Sequence, residues 1–245
     1  MRIALIGYGA MGRLVAEQAR SAGDEIGVTI SSQDAARSSE ELISALRGHD
    51  AAIDFSVADC VLRNIEACAR AGVVLVEGTT GWNSEEAEAR RVIFEHNGGL
   101  VYGANFSIGV NLFYRIVANA SALFASVDNY EPFIEEAHHS RKRDAPSGTA
   151  LRLRALLKEH LDGEVSMAST RAGYIPGTHR VGFDSAADQI TLTHMARSRE
   201  GFAQGALLAA RWIVGRRGVF EFSQVIDEIL QAASGSPRSD LNHQP

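Results

Sequence analysis

Arg2-Ile3-Ala4-Leu5-Ile6-Gly7-Tyr8-Gly9-Ala10-Met11-Gly12 stands near the start of the sequence and sets the expected fold. A short apolar run with the look of a buried strand ends in G-x-G-x-x-G and passes into a helical pattern over about Met11–Arg20. In that setting each glycine has its own reason. The first permits a tight turn, the second lets a phosphate approach the backbone, and the third lets the helix pack closely on the strand. The helix start adds free amides and the positive end of a dipole. Gly7, Tyr8, Gly9, Ala10, Met11 and Gly12 are therefore the candidate cradle for a dinucleotide pyrophosphate. The competing reading is a chance glycine turn in an α/β domain that binds no nucleotide.

Moving outward, strands and helices alternate. Ile26–Ile30 reads as a second strand, and Ser38 with Glu41 forms a capping box that opens a helix through Leu46. Ala51–Phe55 is a third strand, and Val57–Ala71 a helix closed by Gly72. Val73–Glu77 is a fourth strand; Asn83 with Glu86 is expected to cap a helix that stops at Asn97-Gly98-Gly99. Leu100–Gly103 is a fifth strand. This spacing predicts right-handed βαβ units and a parallel sheet. The acidic residue that binds the ribose 2′-hydroxyl in NAD enzymes is missing at the end of strand two, which reads Ile30-Ser31-Ser32-Gln33, with Asp34 read as too far on. Ser31 and Ser32 can hydrogen-bond a 2′-phosphate without repelling it, so NADPH should be tolerated beside NADH.

Beyond residue 109 the pattern changes. A long helix is predicted over Val110–Ser126, and Glu131–His138 alternates strictly, with Ile134, Glu136 and His138 on one face. A helix over Ser147–Leu161 and strands at Val165–Arg171, His179–Asp184 and Gln189–Met195 follow. From about Phe202 a helix rich in Ala and Leu returns, then a strand at Val219–Phe222 and a helix over Gln224–Ala232. The expected fold class is an α/β, Rossmann-type parallel-sheet domain (1–108 and 198–245) plus an α+β domain with an open mixed sheet (109–197). Ser234–Pro245 reads as a frayed tail.

Composition narrows the functions. Lys and Arg number 24 against 30 Asp and Glu, a net charge of −6, which argues against a dedicated nucleic-acid binder. The two cysteines, Cys60 and Cys68, cannot build a disulfide scaffold or a cysteine-rich zinc site, and read as an inert, buried pair. Trp82 and Trp212 read as packing anchors. No apolar run is long enough to span a bilayer, and the N-terminus lacks a signal-peptide layout, so a cytoplasmic protein is expected.

Glu136-Ala137-His138-His139-Ser140-Arg141-Lys142-Arg143-Asp144-Ala145-Pro146-Ser147-Gly148-Thr149-Ala150 is the most unusual segment. It crowds two histidines and three fixed cations between a strand and a helix of an acidic protein, a density that repels itself unless an anion binds. The amides that open the next helix suit a carboxylate or phosphate. Histidine near neutral pKa can supply a proton, and lysine can hold an anion or donate. Other readings are a histidine metal site, which lacks an evident carboxylate or cysteine partner, a short nucleic-acid patch, and a surface charge cluster with no ligand.

The segment resembles the signature of the 4-hydroxy-tetrahydrodipicolinate (dihydrodipicolinate) reductase family. Asp54-Phe55-Ser56, Gly78-Thr79-Thr80-Gly81, Ala104-Asn105-Phe106-Ser107-Ile108-Gly109-Val110, Arg171-Ala172-Gly173 and the stretch from Ser198 to Ala206 agree in order and spacing, so the resemblance runs from Arg2 to about Leu230. It implies an NAD(P)H-dependent oxidoreductase of the diaminopimelate route to lysine. His138 would be the general acid/base and Lys142 the second proton donor; His139, Gly148 and Thr149 would contact a cyclic dicarboxylate. Gly7 through Gly12 would hold the pyrophosphate. Gly78, Thr79, Thr80, Ala104, Asn105, Phe106 and Ser107 would line the nicotinamide side, with Arg199 and Phe202 as further cofactor contacts. A homotetramer built through the sheet of the second domain is implied, with no metal, nucleic acid or membrane partner. The glycine turn is one residue shorter than the family's usual G-x-x-G-x-x-G, and Ser31 replaces the acidic residue after strand two.

Hydride would pass to ring C4, leaving an enamine that His138 protonates at the adjacent carbon. Two rivals remain at this point: a related two-domain dehydrogenase of the aspartate or homoserine type, and a catalytically silent NAD(P)-binding sensor. His179, in Gly177-Thr178-His179, has no assigned role.

Overall fold

The computed structural model describes residues 1–34 and 37–234. The expected frayed tail therefore lies almost wholly outside the described residues. The chain divides into two compact units, Met1–Phe106 joined by the chain from Phe202 onward, and Ser107–Gly201.

The first unit is a six-stranded parallel sheet flanked by helices. Its elements are β1 (Arg2–Ile6), α1 (Ala10–Ser21), β2 (Glu25–Ile30), α2 (Ser39–Leu46), β3 (Ala51–Asp54), α3 (Val61–Ala71), β4 (Val74–Glu77), α4 (Glu86–Glu95) and β5 (Gly99–Tyr102). After the second unit come α7 (Glu200–Ile213), β10 (Gly218–Glu221) and α8 (Phe222–Ser234). The strand order is β10-β5-β4-β3-β1-β2. The inner strands are buried on both faces, which is why they read as unbroken apolar runs rather than alternating ones.

Register decides where function can sit. Ile30, Ile6, Asp54, Glu77 and Tyr102 form one row across β2, β1, β3, β4 and β5. The segments that follow those residues therefore leave the sheet at one edge, the carboxyl edge where ligands of open α/β sheets bind.

Local signals mostly produced the elements they announce. Ser38 Oγ accepts from the Glu41 amide while the Glu41 carboxylate accepts from the Ser38 amide, the expected capping box. Gly72 closes α3 at φ 75°. Two starts differ. A 3₁₀ turn at Ala58–Cys60 precedes α3, and another at Asn83–Glu85 precedes α4. Asn83 makes no side-chain cap. The chain there is instead fixed by buried Trp82, whose indole N–H donates to the Thr79 carbonyl at 2.9 Å.

The second unit contains α5 (Ile108–Phe124), β6 (Glu131–His138), α6 (Gly148–Lys158), β7 (Ser166–Arg171), β8 (Thr178–Asp184) and β9 (Gln189–Met195). Its sheet order is β7-β6-β8-β9; β6 and β7 run parallel, the other pairs antiparallel. The Ser107 hydroxyl accepts from the Val110 amide, which starts α5 two residues earlier than the apolar pattern suggests. Phe113 and Val117 of α5 and Leu153 and Leu157 of α6 pack with Ile134, Val181 and Phe183 of the sheet. The opposite sheet face carries Glu135, Ala137, Thr170, Thr178, Arg180 and Thr193 around an open hollow of about 360 Å³. Among the described residues no helix is long and apolar enough to cross a membrane.

Candidate active site

The site in the second unit follows from strand pairing. Glu136 pairs with His179 across β6–β8, and His138 pairs with Arg171 across β6–β7. Alternation then puts Glu136, His138, Arg171 and His179 on the helix-covered face. There the Arg171 guanidinium donates to both Glu136 oxygens, at 2.6 and 3.0 Å. Oε2 of Glu136 also lies 2.5 Å from Nδ1 of His138, and Oε1 accepts from the Ser147 amide at 3.3 Å. Burial pushes the Glu136 carboxyl up, but hydrogen bonds from Arg171, Ser169 and His138 outweigh it and bring it down to about 2. It is ionised at neutral pH.

An ionised carboxylate only accepts, so Nδ1 of His138 carries a proton and Nε2 is the atom that titrates. Burial lowers the His138 pKa; Glu136 opposes this, and Lys142 and Arg171 reinforce it. His179 is pushed down to about 4, first by burial and then by the nearby His138. The two rings meet edge to face at 5.1 Å, and Ser147 Oγ lies 2.9 Å from Nε2 of His179. His179 is thus a neutral neighbour whose role sequence reasoning missed.

Ser147 also caps α6 through the Ala150 amide, so the cap itself does not take up the Gly148 and Thr149 amides at the helix start. A side chain added at Gly148 would meet no atom within 4 Å. That is an open, positively polarised helix end. Lys142 is half-buried and grips both oxygens of Asp144 at 2.8 Å, while Arg171 holds the Asp144 carbonyl at 2.6 Å. His139 has a buried Nδ1 with no partner among the described residues.

Glu136, His138 and His179 each offer a ligand atom within 4.8 Å of the others. This corrects the expectation that no carboxylate accompanies the histidines, since His179 rather than His139 completes that cluster. Arg171 nevertheless occupies both carboxylate oxygens, and its charge opposes a cation there.

In the first unit, Gly7 has φ +82°, and a Cβ there would lie 2.3 Å from the Phe55 carbonyl oxygen. At Gly12 a Cβ would lie 2.1 Å from the Gly7 carbonyl oxygen, whereas at Gly9 it would meet nothing within 4 Å. Gly7 and Gly12 are thus required by the turn itself, and Gly9 leaves space above the backbone. Gly9 caps α1 without a side chain, and the first turn carries no acid. The cradle fits a pyrophosphate. Gly78, Thr79 and Thr80 follow β4, and Ala104, Asn105 and Phe106 follow β5, at the same sheet edge. Ser107 and Arg199 fall in the second unit and Phe202 in the first.

Asp34 is not too far from the end of β2. Its carboxylate folds back onto the Ser31 amide at 2.8 Å and the Ser31 hydroxyl at 3.2 Å, and pairs with Arg37 at 2.8 Å. Ser32 is exposed in the 3₁₀ turn between them.

Comparisons with known proteins agree with this architecture. Family models described as dihydrodipicolinate reductase, N-terminus and C-terminus, match residues 1–106 and 109–226. The 4-hydroxy-tetrahydrodipicolinate reductase of Christiangramia forsetii is 33% identical over 94% of this chain and 100% of its own. That of Methanoculleus marisnigri is 39% identical over 68% of this chain and 71% of its own. Among solved structures, a dipicolinate-bound dihydrodipicolinate reductase from Paenisporosarcina sp. TG-14 superposes with a TM-score of 0.77 at 20% identity. It covers 92% of this chain and 99% of that one.

Proposed function

The chain belongs to the dihydrodipicolinate reductase family, and from that premise we propose how its residues carry out the family's reaction. The chain catalyses the NAD(P)H-dependent reduction of 4-hydroxy-tetrahydrodipicolinate on the diaminopimelate route to lysine. The observation that carries our reading is the Glu136-anchored imidazole of His138 beside an open helix end.

The substrate is a ring with two carboxylates. The Gly148 and Thr149 amides, the Thr149 hydroxyl, His139 and Lys142 hold them, with Lys142 exchanging Asp144 for a substrate carboxylate. Two incoming negative charges raise the His138 pKa, so the ring takes up a proton as substrate binds. The nicotinamide, when bound, supplies a hydride to ring C4 of the dehydrated substrate. The enamine so formed needs a proton at the adjacent carbon, and Nε2 of His138 delivers it while Glu136 stabilises the imidazolium beforehand.

Gly7 through Gly12 bind the pyrophosphate, Gly78 to Thr80 and Ala104 to Ser107 line the nicotinamide side, and Arg199 and Phe202 add contacts. Both NADH and NADPH are accepted: Asp34 suits a ribose diol, and Ser31, Ser32 and Arg37 offer donors to a 2′-phosphate. The open face of the β7-β6-β8-β9 sheet supports a homotetramer, and the enzyme works in the cytoplasm on a soluble intermediate.

The test is a coupled assay in which a synthase condenses pyruvate with aspartate semialdehyde, and nicotinamide absorbance is followed on adding this protein. Synthase-dependent loss of NADH and NADPH is expected. Tight nucleotide binding without turnover would overturn the reading.

A further inference from the structure

Two carboxylic acids lie buried under the nucleotide edge of the first sheet, and the mechanism above uses neither. Asp54 ends β3 and Glu77 ends β4; they are register partners, and both are fully buried. Asp54 Oδ1 accepts from the Ser56 amide at 2.7 Å and Oδ2 from the Asn64 side chain at 2.7 Å. Glu77 Oε1 accepts from the Thr79 amide at 2.7 Å, while Oε2 is buried with no conventional donor. The two carboxyls interact with each other. The buried thiol of Cys68 on α3 lies near both, and among the described residues neither acid forms an ion pair. Two such acids cannot both ionise in this setting. Asp54 has both oxygens stabilised by N–H donors, so Glu77 is the member of the pair that keeps the proton.

The pair is tied to the loops above it. Ser56 and Thr79, whose amides the two acids hold, are also joined by a 3.1 Å contact from the Ser56 amide to Thr79 Oγ1. Between them Phe55 presses its carbonyl against Gly7 and its ring against Gly78, where added Cβ atoms would lie 2.3 and 2.1 Å away. The glycine turn and the β4 loop are therefore set relative to each other by residues 54–56.

We propose that Asp54 and Glu77 share one proton and act as a positioning pair, holding the glycine turn and the Gly78–Thr80 loop in the arrangement that binds nucleotide. The inference rests on the assignment of those loops to the cofactor. Loss of the shared proton sets two buried anions against each other, and as they move apart they carry with them the Ser56 and Thr79 amides that they hold. Burial and mutual repulsion push Glu77 well above the ordinary carboxylate range, so the proton is lost as pH rises.

The experiment titrates NADH and NADPH binding by fluorescence from about pH 6 to about pH 10, for the unmodified chain and for Glu77→Gln. The unmodified chain should weaken about tenfold or more on the alkaline side, and Glu77→Gln, which keeps a donor at every pH, should stay level and match it near neutrality. In the infrared, the unmodified chain should show at pH 7 a protonated-carboxyl stretch that disappears on alkaline titration; this needs no variant to fold. Parallel titrations of the two proteins, weak binding by Glu77→Gln at neutral pH, or absence of the infrared band would each overturn the inference and leave the cofactor assignment standing. If the unmodified chain binds neither nucleotide at any pH while the band is present, the cofactor assignment fails and the positioning role fails with it.

Discussion

Oε2 of Glu136 lies 2.5 Å from Nδ1 of His138, on a carboxylate that Arg171 clamps from the other side. A locked acceptor at Nδ1 leaves Nε2 as the working nitrogen and favours the charged ring. Glu136→Gln keeps the shape but removes that bias and leaves Arg171 without its counter-charge. It should lower kcat about tenfold or more while the substrate KM changes little. Steady-state kinetics with either nucleotide checks this; an unchanged kcat would remove Glu136 from the account.

Glycine geometry separates folding from binding. Gly12→Ala drives a Cβ to 2.1 Å from the Gly7 carbonyl oxygen, and should destabilise the first unit by about 1–3 kcal/mol. Gly9→Ala meets no neighbour and has an ordinary φ of −77°, so stability should move by less than about 0.5 kcal/mol. Nucleotide affinity should nevertheless fall about tenfold or more, because the added methyl would fill the space proposed for a phosphate. Denaturant melts and nucleotide titrations on the two variants would show it. Normal nucleotide binding by Gly9→Ala would contradict the cradle.

Acid should unfold the second unit through His179. Its pKa is about 4 in the fold against an ordinary 6.5. The unfolded chain therefore takes up a proton first, and stability is present above about pH 6.5 and lost as pH falls toward about pH 4. A shift of that size corresponds to something on the order of 3 kcal/mol. Glu136, lowered to about 2, adds a second loss at still lower pH. His179→Gln should flatten the upper part of this acid limb in melts taken across pH; an unaltered limb would mean that His179 does not drive it.

Coenzyme choice should respond to Asp34. Its carboxylate is held by Ser31 and Arg37 at the end of β2, and in the proposed cofactor site it would repel a 2′-phosphate. Asp34→Asn should shift the ratio of kcat/KM values toward NADPH by about threefold to tenfold, since the pair of charges is solvent-screened. A shift toward NADH would show that Arg37 and the serines, not Asp34, decide the preference.

How far residues could be read in advance depended on how far apart their partners lie. The capping box of Ser38 and Glu41 and the left-handed stop at Gly72 are local, and the sequence displays them directly. The glycine turn was legible for the same reason: strand, turn and helix are contiguous. Asn83 misled because a nearby tertiary requirement, the burial of Trp82, outweighed a local capping preference. Glu136 was visible as an acid on the core face of an alternating strand, but its meaning depended on Arg171, 35 residues away, and on the order β7-β6-β8. His179 and the Asp54–Glu77 pair likewise became neighbours only once strands were paired, and neither has a local sequence signature.

The most direct test of the central claim is single-turnover reduction by His138→Gln beside the unmodified enzyme, with nucleotide affinity measured on both. In His138→Gln the chemical step should be slower by about 10²–10⁴-fold, with NADH and NADPH bound as tightly as before. A variant that retains most of the unmodified rate would contradict it and send the search for the proton donor elsewhere in the site.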